Sequence, residues 1–101
     1  MLFATLQEKK RLFRKFNVVT PEGIFEVVYY GIGMGRELVL VEGEIVATTS
    51  SDLHSGKTWF APKFRFKVGS LLAVIKVHVG WLMAIDSFSL EVDGQQLYVE
   101  G

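Results

Sequence analysis

The chain contains no cysteine. Disulfides and cysteine-held zinc or iron–sulfur sites are therefore excluded. A reducing, cytoplasmic compartment agrees with that usage. Histidine is scarce, with His54 and His78 alone. Asp52 and His54 share one polar stretch, but two ligands do not make a metal site, which takes three or four. No metal or other cofactor is expected. Charge of one sign is missing too, because eleven basic residues balance eleven acidic ones. A dedicated nucleic-acid binder carries a basic excess, so no nucleic-acid partner is expected. No long apolar run occurs. The most apolar stretch, Leu71 to Ile85, is interrupted by Lys76 and His78 and falls short of the about 20 residues a spanning helix needs. At the start, Met1 to Leu6 precedes its positive charges, the reverse of a secretory signal. No membrane association is expected.

What is present is core material: 50% of the 101 residues are hydrophobic. That length fits one domain, and the hydrophobicity argues against disorder. Charge is uneven along the chain. Lys9, Lys10, Arg11, Arg14 and Lys15 cluster against a single acid, Glu8. Residues 1–15 read as a basic arm, with a short helix over residues 2–13. Leu2, Leu6 and Phe13 fall near one helical face. Residues 16–101 read as the body.

From Phe16 the period changes to two. Pro21-Glu22-Gly23 is a turn. Ile24 to Tyr30 is β-branched and aromatic, hence a strand. Glu37 to Val41 and Glu44 to Thr49 flank the Glu42-Gly43 turn. Lys63 to Val68 and Leu71 to Val79 flank Gly69-Ser70. Ser87 to Val92 and Gln96 to Val99 flank Asp93-Gly94, the clearest hairpin turn. The sum is an all-β domain of about eight antiparallel strands in four hairpins, a β-sandwich. The core is expected to include Phe16, Val18, Phe25, Val27, Val39, Val41, Phe64, Phe66, Ile75, Val77, Phe88, Leu90 and Val92. Val41-Glu42-Gly43 and Val92-Asp93-Gly94 suggest two similar halves, although any β protein reuses acidic-Gly turns. Phe16-Asn17-Val18 and Phe64-Arg65-Phe66 open the two halves in this reading. Leu38 to Val41 is apolar on both faces and must be covered twice, by the N-terminal segment or by another subunit.

Motifs that carry chemistry are incomplete. Ser55-Gly56-Lys57-Thr58 lacks the earlier glycine and the following helix of a phosphate-binding loop. Gly31-x-Gly33-x-Gly35 has Arg36 where a dinucleotide fingerprint has glycine, so it reads as a bent or bulged connection. Ser50, Ser51 and Ser55 lie near Asp52 and His54, which is ordinary loop composition; a hydrolase centred on Asp52, His54 and Ser55 is the weakest of three functional readings. Lys63, Arg65 and Lys67 alternate with inward Phe64 and Phe66, and pairing with acids such as Glu91 is their expected role. No catalytic residue and no buried polar constellation is expected.

Trp59-x-x-x-x-Phe64-x-Phe66-x-Val68-Gly69, with Ser89-Leu90-Glu91-Val92-Asp93-Gly94 and the earlier Val-Glu-Gly turn, resembles the Fas apoptotic inhibitory molecule family over residues 16–99. The resemblance implies an antiparallel β-sandwich acting as a non-enzymatic interaction module, with no catalytic residues to carry over.

The leading expectation is a non-catalytic binding or protein-interaction module, working as a homodimer or on another protein. The alternative is a small-ligand or carbohydrate-binding sandwich. Tyr29, Tyr30, Met34, Trp59, Trp81 and Met83 are the candidate ligand or interface residues, because aromatics stack on sugars and Met and Trp are enriched at interfaces.

Overall fold

The computed structural model describes residues 2–33, 36–48, 63–80 and 84–101, with backbone alone at 32, 33 and 36. Among these residues, nine strands form two antiparallel sheets. The first holds β1 (Phe3–Lys10), β2 (Phe13–Thr20), β3 (Gly23–Gly33), β4 (Arg36–Val41) and β5 (Glu44–Thr48), in that order. The second holds β6 (Lys63–Val68), β7 (Leu71–Val79), β8 (Ile85–Val92) and β9 (Gln95–Glu100), also in order. Each sheet is a meander, and the two pack face to face. β5 runs beside β6 on one side, and β1 lies near β9 on the other.

Alternation sets which residues enter the core. Every residue expected there is buried, except Phe25 and Val41, which pack half-buried against it. Phe16, Tyr29 and Phe88 meet ring to ring at the centre, Phe16 and Phe88 with centroids 5.6 Å apart.

The N-terminal helix is not formed. Residues 3–10 are an edge strand, in register with β2 from Phe3↔Val19 to Lys10↔Phe13, with a bulge after Leu6. The physical reason is a period of two: Leu2, Ala4 and Leu6 all pack on the core while Phe3 faces out. A helix would have spread those three around its axis. β2 also begins at Phe13, ahead of the boundary placed after residue 15.

The two halves share a register. In the β4–β5 hairpin Val41 faces Glu44, Leu40 faces Ile45 and Val39 faces Ala47. In β8–β9 Val92 faces Gln95, Glu91 faces Gln96 and Leu90 faces Tyr98, so the one-residue bulge falls at the matching place. Both turns carry an acid and then a glycine at positive φ, Glu42 at 53° and Gly43 at 83°, Asp93 at 53° and Gly94 at 79°. These are the left-handed pair that a two-residue hairpin needs to match strand twist. Stepping sideways, Val41–Val27–Phe16 corresponds to Val92–Ala73–Phe66, and Val39–Tyr29–Arg14 to Leu90–Ile75–Phe64. Phe16 thus matches Phe66 rather than Phe64, a shift of one pleat from the sequence reading. The correspondence isolates a difference: where the second half buries Phe64 and Phe88, the first has Arg14 and Glu37.

Candidate functional site

Arg14 and Glu37 are 3% and 6% exposed. Strand parity puts them there, since Arg14 lies two residues before Phe16 and Glu37 two before Val39. A buried guanidinium must be paired and fully hydrogen-bonded. Arg14 Nε donates to Glu100 Oε2 at 2.6 Å and Nη2 to Glu100 Oε1 at 3.0 Å, a two-pronged ion pair from β2 to β9 across the sheets. Nη1 donates to the carbonyls of Phe13, at 2.8 Å, and Lys10, closing the β1–β2 turn. Tyr98 also donates to Glu100 Oε2, at 2.6 Å, and Lys9 Nζ lies 3.3 Å from Oε1. The guanidinium holds the Glu100 carboxyl down to about 2, and burial beside that carboxylate pushes the Tyr98 phenol up to about 12.

Tyr29, opposite Arg14 on β3, donates its hydroxyl to Glu37 Oε2. Burial drives both groups above their usual pKa, although the hydrogen bond draws the carboxyl partly back. Gly31 faces Glu37, and its N–H donates to the Leu12 carbonyl at 2.7 Å. A Cβ on Gly31 would sit 2.8 Å from the Leu12 Cβ, so the β1–β2 turn reaches this strand only because residue 31 is glycine. The bulge between Gly31 and Gly33 agrees with the bent connection read from the sequence. No buried side-chain nitrogen or oxygen among the described residues lacks a hydrogen-bond partner.

The expectation of no buried polar constellation is therefore corrected: Arg14, Tyr29, Glu37, Tyr98 and Glu100 form one. The sequence signal was strand parity. In the sequence Arg14 reads as part of the basic arm, outside any strand.

Of the candidate ligand or interface residues, Tyr29 is fully buried and bonded to Glu37, which removes it from any surface. Tyr30, on the opposite face of the same strand, is 45% exposed. Met34, Trp59, Trp81 and Met83 lie outside the described residues, as do Asp52, His54, Ser55 and the Gly56-Lys57-Thr58 segment.

The two outer faces differ in chemistry. On the first sheet, one cross-strand row reads Lys10–Phe13–Tyr30–Leu38–Thr48 and the next Glu8–Lys15–Val28–Leu40–Ile45. Phe13 and Tyr30 meet edge to face at 6.0 Å, and Lys10 Nζ lies 5.6 Å from the Phe13 ring. Ile45 is 57% exposed. The N-terminal segment does not cover Leu38 and Leu40, because β1 extends the sheet beyond β2 instead of lying across it.

The second sheet's outer face carries Lys63, Arg65, Lys67, Lys76 and His78. The expected pairing of this basic stripe with Glu91 does not form. β7 separates β6 from β8, and Val74 sits between Arg65 and Glu91. A groove of about 470 Å³ crosses this face, lined by Lys63, Lys76, His78, Ser87, Ser89 and Val99 among others. His78 Nδ1 is 3.3 Å from Asp86 Oδ2. Among the described residues, no group of three or more His, Asp or Glu side chains could hold a metal ion, and no helix is long and apolar enough to cross a membrane.

These features define a two-sheet antiparallel β-sandwich with a charged clamp between its sheets. In comparisons with known proteins, no family model, no curated protein and no solved structure matches the chain.

Proposed function

We propose that this chain is a non-catalytic interaction module that pairs with a second copy of itself through the outer face of its five-stranded sheet. The observation that carries the reading is the apolar surface formed by Phe13, Val28, Tyr30, Leu38, Leu40 and Ile45 on four adjacent strands. Contiguous apolar surface of this kind marks interaction sites. Charge does not oppose a second copy as the occupant. On this face Lys10 pairs with Glu8 at 2.9 Å and Lys15 with Glu26 at 3.5 Å, so neither sign is in excess. A twofold axis running along the strands lays β1–β2 of one copy over β4–β5 of the other, so that Phe13 of one copy meets Leu38 of the other and Tyr30 meets Tyr30. Net charge of zero adds no long-range repulsion. The non-catalytic part rests on the interior polar groups. Arg14, Tyr29, Glu37 and Glu100 are engaged with one another or with the backbone, joining sheets and turns rather than facing a ligand.

Sedimentation equilibrium tests the reading. The wild type is expected at twice its 11.4 kDa mass at micromolar concentration, and Ile45→Glu at the monomer mass. A charge buried in such a contact costs several kcal/mol, enough to dissociate it. A wild type at 11.4 kDa throughout, or an Ile45→Glu variant that still pairs, overturns the proposal.

A further inference from the structure

We propose that the groove on the outer face of the four-stranded sheet binds a small phosphorylated or sulfated ligand. The register assembles its lining. Lys63 on β6 lies directly opposite Lys76 on β7, and Lys76 lies opposite Ser89 on β8. One pleat further on, His78 lies opposite Ser87. Two ammonium groups, an imidazole and two hydroxyls are thereby gathered from three strands around about 470 Å³ of open space, within the size range of small-molecule clefts.

The Lys63–Lys76 pair is the telling feature. Like charges directly opposite each other on a sheet are destabilising. Among the described residues, neither lysine has an acid within ion-pair distance. The acid on the same face of β8, Glu91, is opposite Val74, two residues along from Lys76. Glu100 also borders the groove, but Arg14, Lys9 and Tyr98 already occupy its carboxylate. Asp86 is engaged by His78. The Lys63–Lys76 pair thus keeps its positive charge on the groove wall, which an anion would neutralise.

The donor set points to a tetrahedral oxyanion. A carboxylate offers two oxygens on one side, whereas a terminal phosphate or sulfate offers three that diverge, matching donors on β6, β7 and β8. Lysine binds phosphate as a point charge, and serine hydroxyls donate alongside it. A single-stranded nucleic acid fits less well. It needs aromatic platforms for its bases, and Phe64, Phe66, Phe88 and Tyr98 all pack on the core side of this sheet.

Pyrophosphate and glucose 6-phosphate, added at millimolar concentration to the full chain at fixed ionic strength, test the proposal by melting temperature and by amide NMR shifts. Both probes are expected to raise the melting temperature saturably, because a ligand that binds only the folded state must stabilise it. The shifted amides are expected at residues 63, 76–78 and 87–89. Lys76→Gln is expected to weaken binding about tenfold, the effect of one charge-assisted hydrogen bond. The same variant, without ligand, is expected to melt no lower than the wild type, because it removes the Lys63–Lys76 repulsion. Fold loss and site loss are therefore distinguishable. Three results would overturn the proposal: no saturable response to either probe, equal affinity in Lys76→Gln and wild type, or binding of a single-stranded oligonucleotide with neither small probe competing.

Discussion

Replacing Glu100 with glutamine tests the clamp between the sheets. Glutamine keeps the size and shape of the side chain but turns one oxygen into an NH2 group. Arg14 donates to both carboxylate oxygens, and Tyr98 to one of them. Whichever way the amide sits, a donor therefore meets a donor. The carboxyl is held near 2 rather than at its usual 4.5. At about 1.4 kcal/mol per unit, its ionised form contributes roughly 3 kcal/mol to folding at neutral pH. The side chain is 17% exposed, so screening trims this to about 2–3 kcal/mol. Loss of that much is expected to lower the melting temperature by roughly 10–20 °C in a domain of this size. The pH dependence follows from the sign of the shift. The folded state binds this proton more weakly than the unfolded state, so the stabilisation is complete above the usual carboxyl range. It is lost as pH falls from about 4.5 towards 2. Urea titrations of both proteins between pH 7 and pH 2.5 are expected to show a stability gap that narrows throughout that fall. A gap below about 0.5 kcal/mol at pH 7, or one that does not change with pH, would refute the assignment.

Glu37 is shifted the other way by burial. Its folded form holds the proton more tightly, so its contribution declines as pH rises above the ordinary carboxyl range. Glu37→Gln is expected to gain on the wild type in chemical denaturation as pH rises above the ordinary carboxyl range; a gap that moves against the variant would contradict this. Gly31→Ala is expected to cost about 1–3 kcal/mol, because the new methyl meets the Leu12 Cβ at 2.8 Å and the β1–β2 turn must move. An alanine variant with the wild-type melting temperature would show that the turn yields freely.

Much of this fold is legible from alternation and turn chemistry. Acid-Gly pairs at Glu42-Gly43 and Asp93-Gly94 mark hairpins whose backbone does adopt left-handed values. Phe64-x-Phe66-x-Val68 marks a strand with one buried face. The failure is concentrated at the N-terminus. Residues 7–11 are good helix formers with little apolar content, so local propensity favours a helix. Tertiary pairing overrides it, because β2 offers an open edge along Phe13–Thr20 and Leu2, Ala4 and Leu6 find the core from that register. The same local propensity conceals the polar cluster. Once Arg14 is assigned to an arm, nothing in the sequence suggests a partner 86 positions away in Glu100. The candidate site was legible only in composition. Lys63, Arg65 and Lys67 could be read as one outward stripe, but the order β6–β7–β8 decides that they face Lys76 and Val74 before any acid.

The shared register of the two halves gives the differences between them a physical meaning. Equivalent positions in β2 and β4 hold Arg14 and Glu37, where β6 and β8 hold Phe64 and Phe88. The first half therefore needs ionic partners that the second does not. Arg14 finds its partner in Glu100 of the other sheet, with its guanidinium 6.0 Å from the Phe88 ring. Glu37 finds its partner in Tyr29 of its own sheet. Replacing a buried ion pair with apolar side chains is often neutral or stabilising, so stability alone does not account for the charges. Geometry gives them a further role. Hydrophobic packing tolerates some sliding of one sheet over the other, whereas a two-pronged Arg14–Glu100 pair fixes β2 against β9 at one point. Glu22, whose carboxylate accepts from the Ser70 N–H at 2.8 Å, fixes the β2–β3 turn against the β6–β7 turn at the other end of the sandwich. With both ends pinned, the outer faces are held in one relative orientation. One presents an apolar surface, and the other a basic groove, on opposite sides of the same core.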